Sequence, residues 1–175
     1  MSAFIPSSLY GVIGWPLAQS LSPLLHNTAF QALGIPAAYM LWELPPEKLP
    51  RFVDSMRLLG IRGCSVTLPH KVEILPLLDH RSERVELMGA ANTLYWRDDR
   101  LCGENTDVTG FMHPLLERGL DPATPVLVLG AGGAARAVVC GLWLPPHLRD
   151  HAFRPFPCAA GGALRRHRRA LGRAS

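Results

Sequence analysis

Short apolar runs alternate along this chain with stretches in which apolar residues recur every three or four positions. Leu9–Ile13, closed by Gly14, predicts a buried strand. Ser22-Pro23 opens a helix, with Ser22 as N-cap and Pro23 at the first helical position; Leu24, Leu25, Thr28, Ala29 and Ala32 carry its period, and Gly34 closes it. Ala38–Trp42 predicts a second strand, and Pro46 opens a helix running through Phe52, Val53, Met56 and Leu59 to Gly60. Cys64–Thr67 predicts a third strand leading into Pro69 and a helix carrying Val72, Leu75 and Leu78, which Pro76 interrupts. Thr93–Trp96 and Leu101–Gly103 flank the polar Arg97-Asp98-Asp99-Arg100, the pattern of a hairpin. A helix from about Thr106 to Arg118 ends at Gly119. Strands and helices in alternation predict an α/β fold with a mostly parallel sheet covered on both faces, a three-layer domain. Asp121-Pro122 through Pro125 reads as a boundary. Beyond it Val126–Leu129 predicts a new strand, followed by Gly130-Ala131-Gly132-Gly133-Ala134-Ala135 and a helix, the beginning of a second, Rossmann-like unit.

Composition narrows the class. With 175 residues, 48% hydrophobic and 18% charged, the chain builds a packed core of one domain and a fraction, and disorder throughout is excluded. No apolar run reaches the ~18 residues of a membrane span, and Met1–Gly11 lacks the basic and apolar regions of a secretory signal. Cys64, Cys102, Cys140 and Cys158 are too scattered for a zinc site or a disulfide framework, so reduced thiols in the cytoplasm are expected. The histidines have no metal-ligand spacing, so no metal is expected. The net charge of +4 is uneven. Residues 1–140 hold 11 Lys plus Arg against 13 Asp plus Glu, a net of −2; residues 141–175 hold seven Arg and Asp150 alone, a net of +6. The basic balance belongs to the tail, so neither nucleic acid nor membrane is expected as a partner of the body.

Four clusters carry chemistry. In Gly14-x-Pro16-x-x-x-Ser20-x-Ser22-Pro23-x-x-His26-Asn27, two serines enter a helix N-terminus, where hydroxyls, free N–H groups and the helix dipole suit a carboxylate. In Val66-Thr67-Leu68-Pro69-His70-Lys71, a lysine follows a strand end at the mouth of an α/β sheet, where ligands are met. Gly89-Ala90-Ala91-Asn92-Thr93 and Gly103-Glu104-Asn105-Thr106-Asp107-x-x-Gly110 put amides and carboxylates at strand ends. Each also has a plain structural reading: Ser22 as a helix cap, Lys71 as a solvated surface residue, the Asn and Asp residues as turn formers. Together they supply the hydroxyl, amide, carboxylate and ammonium groups that suit a small polyhydroxylated acid.

These four motifs, in this order and with the glycine-rich turn as a fifth, resemble the shikimate dehydrogenase family over residues 9 to about 141. The resemblance implies Lys71 and Asp107 as the catalytic pair. It implies Ser20 and Ser22 on the substrate carboxylate, with Thr67, Lys71, Asn92 and Asp107 on ring hydroxyls and the reacting oxygen. His26 and His70 would be structural or support these contacts. The implied activity is the reversible NADP-dependent reduction of 3-dehydroshikimate to shikimate, in aromatic amino-acid biosynthesis. A quinate/shikimate dehydrogenase of broader range, or a non-catalytic shikimate-binding remnant, are the alternatives. The expected partner is the small-molecule substrate, in a monomer or homodimer.

The cofactor side departs from this pattern. Gly130, Ala131, Gly132, Gly133, Ala134 and Ala135 follow a predicted strand and open a helix, as a dinucleotide pyrophosphate site requires. A ribose-reading residue is due ~20 residues on, where Gly141-Leu142-Trp143-Leu144-Pro145-Pro146-His147 stands instead. From 141 onward there is no Val, Ile, Lys, Glu, Thr, Asn, Gln, Tyr or Met. The family's basic motif for the NADP 2′-phosphate, its nicotinamide-facing segment and its C-terminal substrate-contacting glutamine have no counterpart. The expectation is therefore a substrate-binding catalytic domain over 1–120, the start of a dinucleotide-binding domain over 121–141, and an aberrant, disordered basic tail over 142–175. Its composition suits GC-rich coding sequence translated out of frame or an otherwise aberrant C-terminus; the alternative is a genuine, divergent basic tail that meets anionic surfaces through Arg165-Arg166-His167-Arg168-Arg169. A chain of this kind is expected to bind substrate weakly and turn it over negligibly.

Overall fold

The computed structural model describes residues 5–119, 121, 124–130 and 133–143. Its centre is a six-stranded sheet in the order β2-β1-β3-β5-β6-β4, formed by β1 (Ser8–Gly14), β2 (Ala37–Glu43), β3 (Ile61–Val66), β4 (His80–Arg81), β5 (Thr93–Arg97) and β6 (Arg100–Glu104). β1 pairs in parallel with β2 and β3, and β4 in parallel with β6; the β5–β6 hairpin is antiparallel within itself and against β3. The helices are α1 (Ser22–Ala32), α2 (Leu49–Leu58), α3 (His70–Glu73), α4 (Glu83–Met88), α5 (Asp107–Glu117) and α6 (Gly133–Trp143), with single 3-10 turns at Pro46–Lys48 and Leu75–Leu77.

Alternation along β1 builds the layers, because successive strand side chains point to opposite faces. Ile13 joins Val53 and Met56 of α2, Cys64 and Val66 of β3, Val85 of α4 and Leu94 of β5 in the principal core. Val12, on the other face, joins Leu17 and Tyr39, with Phe30 of α1 packed against them. Trp42 covers the glycine gap at Gly11, where a Cβ would collide with its ring and with the Met40 carbonyl. The predicted polar turn between β5 and β6 puts Asp98 and Asp99 at φ 50° and 57°, the left-handed pair that joins two strands with the native twist.

β2 lies at the edge of the sheet, and α1 closes that edge at its middle. The Asn27 side chain accepts from the Tyr39 N–H at 2.8 Å and donates to the Tyr39 carbonyl at 2.9 Å. One side-chain amide thus satisfies both backbone groups that a further strand would take.

Three expectations are corrected. Ser22 is the first residue of α1 and not its cap: Leu21 precedes the helix in an αR conformation, and α1 has no side-chain capping bond. The Ser22 N–H instead points at Ser20 Oγ, 3.4 Å away. Val126–Leu129 forms no strand. Among the described residues it has no ladder partner, and Val126, Leu127 and Leu129 are exposed, because a parallel strand is held by neighbours on its edges and helices on its faces. The helix after the glycine turn does form. α6 packs on α5 and α4 through Ala137, Met112, Val108 and Met88, and Gly141 lets it approach Met112 closely. β4 and α4, which the hydrophobic pattern does not predict, are the third difference. Residues 144–175, on which the expectations for the tail fall, lie outside the described residues.

Among the described residues no helix is long and apolar enough to cross a membrane, and no group of three His, Cys, Asp or Glu side chains is arranged to hold a metal ion.

Candidate active site

The loops after β1, β3 and β6 open on one cleft of about 460 Å³. Ser20, Ser22, Thr67, Lys71, Asn92 and Asp107 all line it. Four motifs separated by up to 87 positions thus meet at the mouth of the sheet.

Local geometry explains how. Gly14 ends β1 where a Cβ would lie 2.5 Å from Thr67 Cγ2 and 2.9 Å from Leu17 Cδ2; its absence lets the 14–20 loop lie against the end of β3. The Thr67 N–H donates to the Ile13 carbonyl and the Trp15 N–H to the Leu68 carbonyl, each at 2.9 Å, so the two loops are cross-tied. α3 then begins at His70, whose buried ring bonds the Leu44 carbonyl at 2.7 Å. That anchor sets the next residue, Lys71, toward the cleft.

Lys71 Nζ donates to Asp107 Oδ2 at 2.6 Å, with side-chain exposures of 21% and 34%. Half withdrawn from water, the pair interacts more strongly than an exposed one, and its partners are fixed in turn. Asn92 Nδ2 donates to Asp107 Oδ1 at 2.7 Å and to Thr106 Oγ1 at 3.0 Å. Asn92 Oδ1 accepts from Thr93 Oγ1 at 2.8 Å and from the Thr106 N–H at 2.9 Å. The Asp107 N–H, which starts α5, donates to Asn105 Oδ1 at 3.1 Å, and the buried Asn105 donates to the Ala90 carbonyl at 3.0 Å. Asp107 is therefore held through its backbone and both carboxylate oxygens. Both hydrogens of the Asn92 amide are already donated, so a ligand hydroxyl that accepts from Asn92 displaces one of these bonds. Behind this network, Glu104 Oε1 accepts from Arg84 Nε at 3.1 Å, from Ser82 Oγ at 2.9 Å and from the Asn105 N–H at 2.7 Å.

Gln19, Ser65, Thr93 and Thr106 also line the cleft, though the motif reading did not single them out as site residues. Ser65 is the one with a sequence signal, a lone hydroxyl within the otherwise apolar end of β3. Beneath it, burial pushes the Cys64 thiol far up, which leaves it an inert core group.

The cofactor segment is only partly described. Gly130 has φ +116°, a conformation that favours glycine, and Gly133 begins α6, an 11-residue helix. A phosphate-cradling turn needs such a backbone ahead of a helix N-terminus, so these two features fit a dinucleotide. Ala131 and Gly132 lie outside the described residues. Gly130 and Ala135 do not line the cleft.

The fold and the cleft define an α/β domain with a polar cleft at the mouth of its sheet. Residues 12–94 match the shikimate dehydrogenase substrate binding domain family. A shikimate dehydrogenase (NADP(+)) of Pelobacter propionicus is 62% identical over 139 residues, which cover 77% of this chain and 49% of that protein. The crystal structure of shikimate 5-dehydrogenase from Thermus thermophilus in complex with NADP(H) and shikimate is 41% identical with a TM-score of 0.71, covering 77% of this chain and 51% of that one. The Listeria monocytogenes shikimate 5-dehydrogenase in complex with shikimate and NAD is 38% identical with a TM-score of 0.74, covering 80% and 49%. Over the residues so covered, the chain belongs to the shikimate dehydrogenase family. It spans about half the length of the curated relatives it matches.

Proposed function

We propose that this chain provides the substrate-binding, proton-transferring half of an NADP-dependent shikimate dehydrogenase, which interconverts 3-dehydroshikimate and shikimate in aromatic amino-acid biosynthesis. The observation that carries the reading is the convergence of six motif residues on one cleft around the Lys71–Asp107 pair, 2.6 Å apart. Residues 1–120 are then the substrate domain and 121–141 the start of the dinucleotide domain, with 142–175 a tail. The reading carries a cytoplasmic location and a monomer or homodimer.

Ser20 and Ser22 hold the substrate carboxylate. The Ser22 hydroxyl is not used for capping, and the start of α1 adds its N–H groups and dipole. Thr67, Asn92 and Asp107 face the ring hydroxyls. When bound, NADPH supplies the hydride that reduces the ketone carbon. Lys71 Nζ gives its proton to the oxygen that becomes the alcohol, and regains one from solvent. An ammonium aimed at that oxygen stabilises charge that develops only in the transition state. Asp107 holds the ammonium on target, and Asn92 and Asn105 hold Asp107. Gly130 and the N-terminus of α6 would cradle the pyrophosphate.

Isothermal titration of the chain with shikimate tests the site, and NADP-dependent oxidation of shikimate tests turnover. Saturable binding supports the reading, and its absence overturns it. Ser22→Ala is expected to weaken shikimate binding about tenfold or more, the loss of a charge-assisted hydrogen bond, with no change in thermal midpoint. A lower midpoint with unchanged affinity would return Ser22 to a purely structural role.

A further inference from the structure

Behind the cleft stands an ion pair that the proposed chemistry does not use. Arg84 of α4 and Glu104 at the end of β6 meet at 3.1 Å, with side chains 11% and 19% exposed, and neither lines the cleft. Arg84 Nε donates to Glu104 Oε1, and Arg84 Nη1 donates to Thr109 Oγ1 at 2.8 Å. Glu104 precedes Asp107 in the chain and Thr109 follows it in the first turn of α5. The guanidinium fork thus spans the turn on which Asp107 stands.

That turn has little of its own to fix it. Thr106, at the N-cap position of α5, makes no capping bond, because its hydroxyl is engaged with Asn92. Glu104 supplies what is missing. Its backbone carbonyl accepts the Asn92 N–H at 3.0 Å, and its carboxylate accepts the Asn105 N–H at 2.7 Å. Asn92 and Asn105 are the two residues that hold Asp107. The arginine is itself firmly placed: α4 is capped by Ser82, whose Oγ accepts the Val85 N–H and donates to Glu104, and Val85 seats the helix in the core. Without a counter-charge a half-buried carboxylate turns out toward water, so Arg84 keeps Glu104 aimed at the turn.

We infer that Arg84 is a positioning residue: by bridging Glu104 and Thr109 it fixes where Asp107 stands, and so where the Lys71 ammonium is held for proton transfer. The inference rests on the reading of Lys71 as the proton donor. The demand is geometric, since a displaced partner lets the ammonium drift off the reacting oxygen. A planar guanidinium meets both acceptors in one fixed geometry, which a lysine ammonium does not reproduce.

Lys48 and Lys71 are the only lysines of the chain, so a carbon-isotope label at lysine Cε gives two NMR signals. Lys48, in the exposed turn Pro46–Lys48, is the internal control. Lys71→Arg assigns the signals, and Asp107→Asn marks the position of Lys71 without its carboxylate partner. Arg84→Lys keeps the charge and loses the fork; Thr109→Val keeps the shape of a half-buried residue and loses the acceptor. Each is expected to move the Lys71 signal toward its Asp107→Asn position while Lys48 stays in place. Each is also expected to weaken shikimate binding about threefold in titration calorimetry. Combined with Asp107→Asn, neither adds a further loss, because residues acting through one another are non-additive. A Lys71 signal that does not move in Arg84→Lys overturns the inference, and so does a shift shared with Lys48, which reports general loosening. Full additivity with Asp107→Asn overturns it too. If Arg84→Lys does not fold, Thr109→Val decides by the same signal. A wild-type chain that does not bind shikimate overturns the reading of the cleft instead, and leaves the comparison of Lys71 signals standing.

Discussion

Replacing Lys71 by alanine is expected to lower kcat by about 10²–10⁴, measured in the chain joined to the nucleotide-binding half of a full-length relative. Lys71 is the only Lys or Arg among the residues that line the cleft, so no second ammonium stands in for it. The 2.6 Å bond to Asp107 limits where the charge sits, and a group so placed contributes mainly where negative charge develops on the substrate oxygen. The ground-state contacts proposed for Ser20, Ser22 and Thr67 would survive the substitution, so KM should change by less than about tenfold. Truncation also frees Asp107 Oδ2, but Asn92 and Asn105 still hold that residue. A variant whose kcat stays within about twofold of the parent would remove Lys71 from proton transfer.

Ile13→Ala is expected to destabilise the domain by about 2–5 kcal/mol, read from the urea midpoint at unchanged slope. Ile13 is 0% exposed and lies in β1, which has strands on both sides. The cavity would open between the sheet and α2, where neighbours from four elements cannot collapse into it together. The Ile13 carbonyl also accepts the Thr67 N–H, so looser packing there should reach the end of β3. Loss of less than about 1 kcal/mol would mean that this face is far more plastic than its burial implies.

Sequence pattern reveals the elements whose signals are local. The Asp98-Asp99 turn and the glycines closing α1, α2 and α5 are readable because a left-handed residue is needed there, as at Gly34, Gly60 and Gly119. α4 is too short for a period, although its capping signals are complete: Ser82 Oγ accepts from the Val85 N–H, and Gly89 ends the helix at φ +61°. β4 spans only His80–Arg81, too little to alternate. Val126–Leu129 is misread for the opposite reason: its residues suit a strand, but a ladder is a tertiary object and no composition supplies the partner. For the candidate site, motif spacing singles out Ser20, Ser22, Thr67, Lys71, Asn92 and Asp107, polar residues at strand and loop ends that all line the cleft. Tyr39 and Ser65 sit within apolar strands and meet across 26 positions; no local pattern joins them.

The bond pair from Asn27 to Tyr39 has a consequence for the behaviour of many copies together. An unpaired strand edge templates the addition of another chain, and repetition of that step leads to fibrils and precipitates. Here the seven residues of β2 are interrupted at their centre by a carboxamide that imitates one residue of a neighbour and offers nothing beyond it. The side chain that clamps the Tyr39 backbone therefore acts as a stopper against open-ended growth, and a chain lacking it would trade colloidal solubility for a sticky rim.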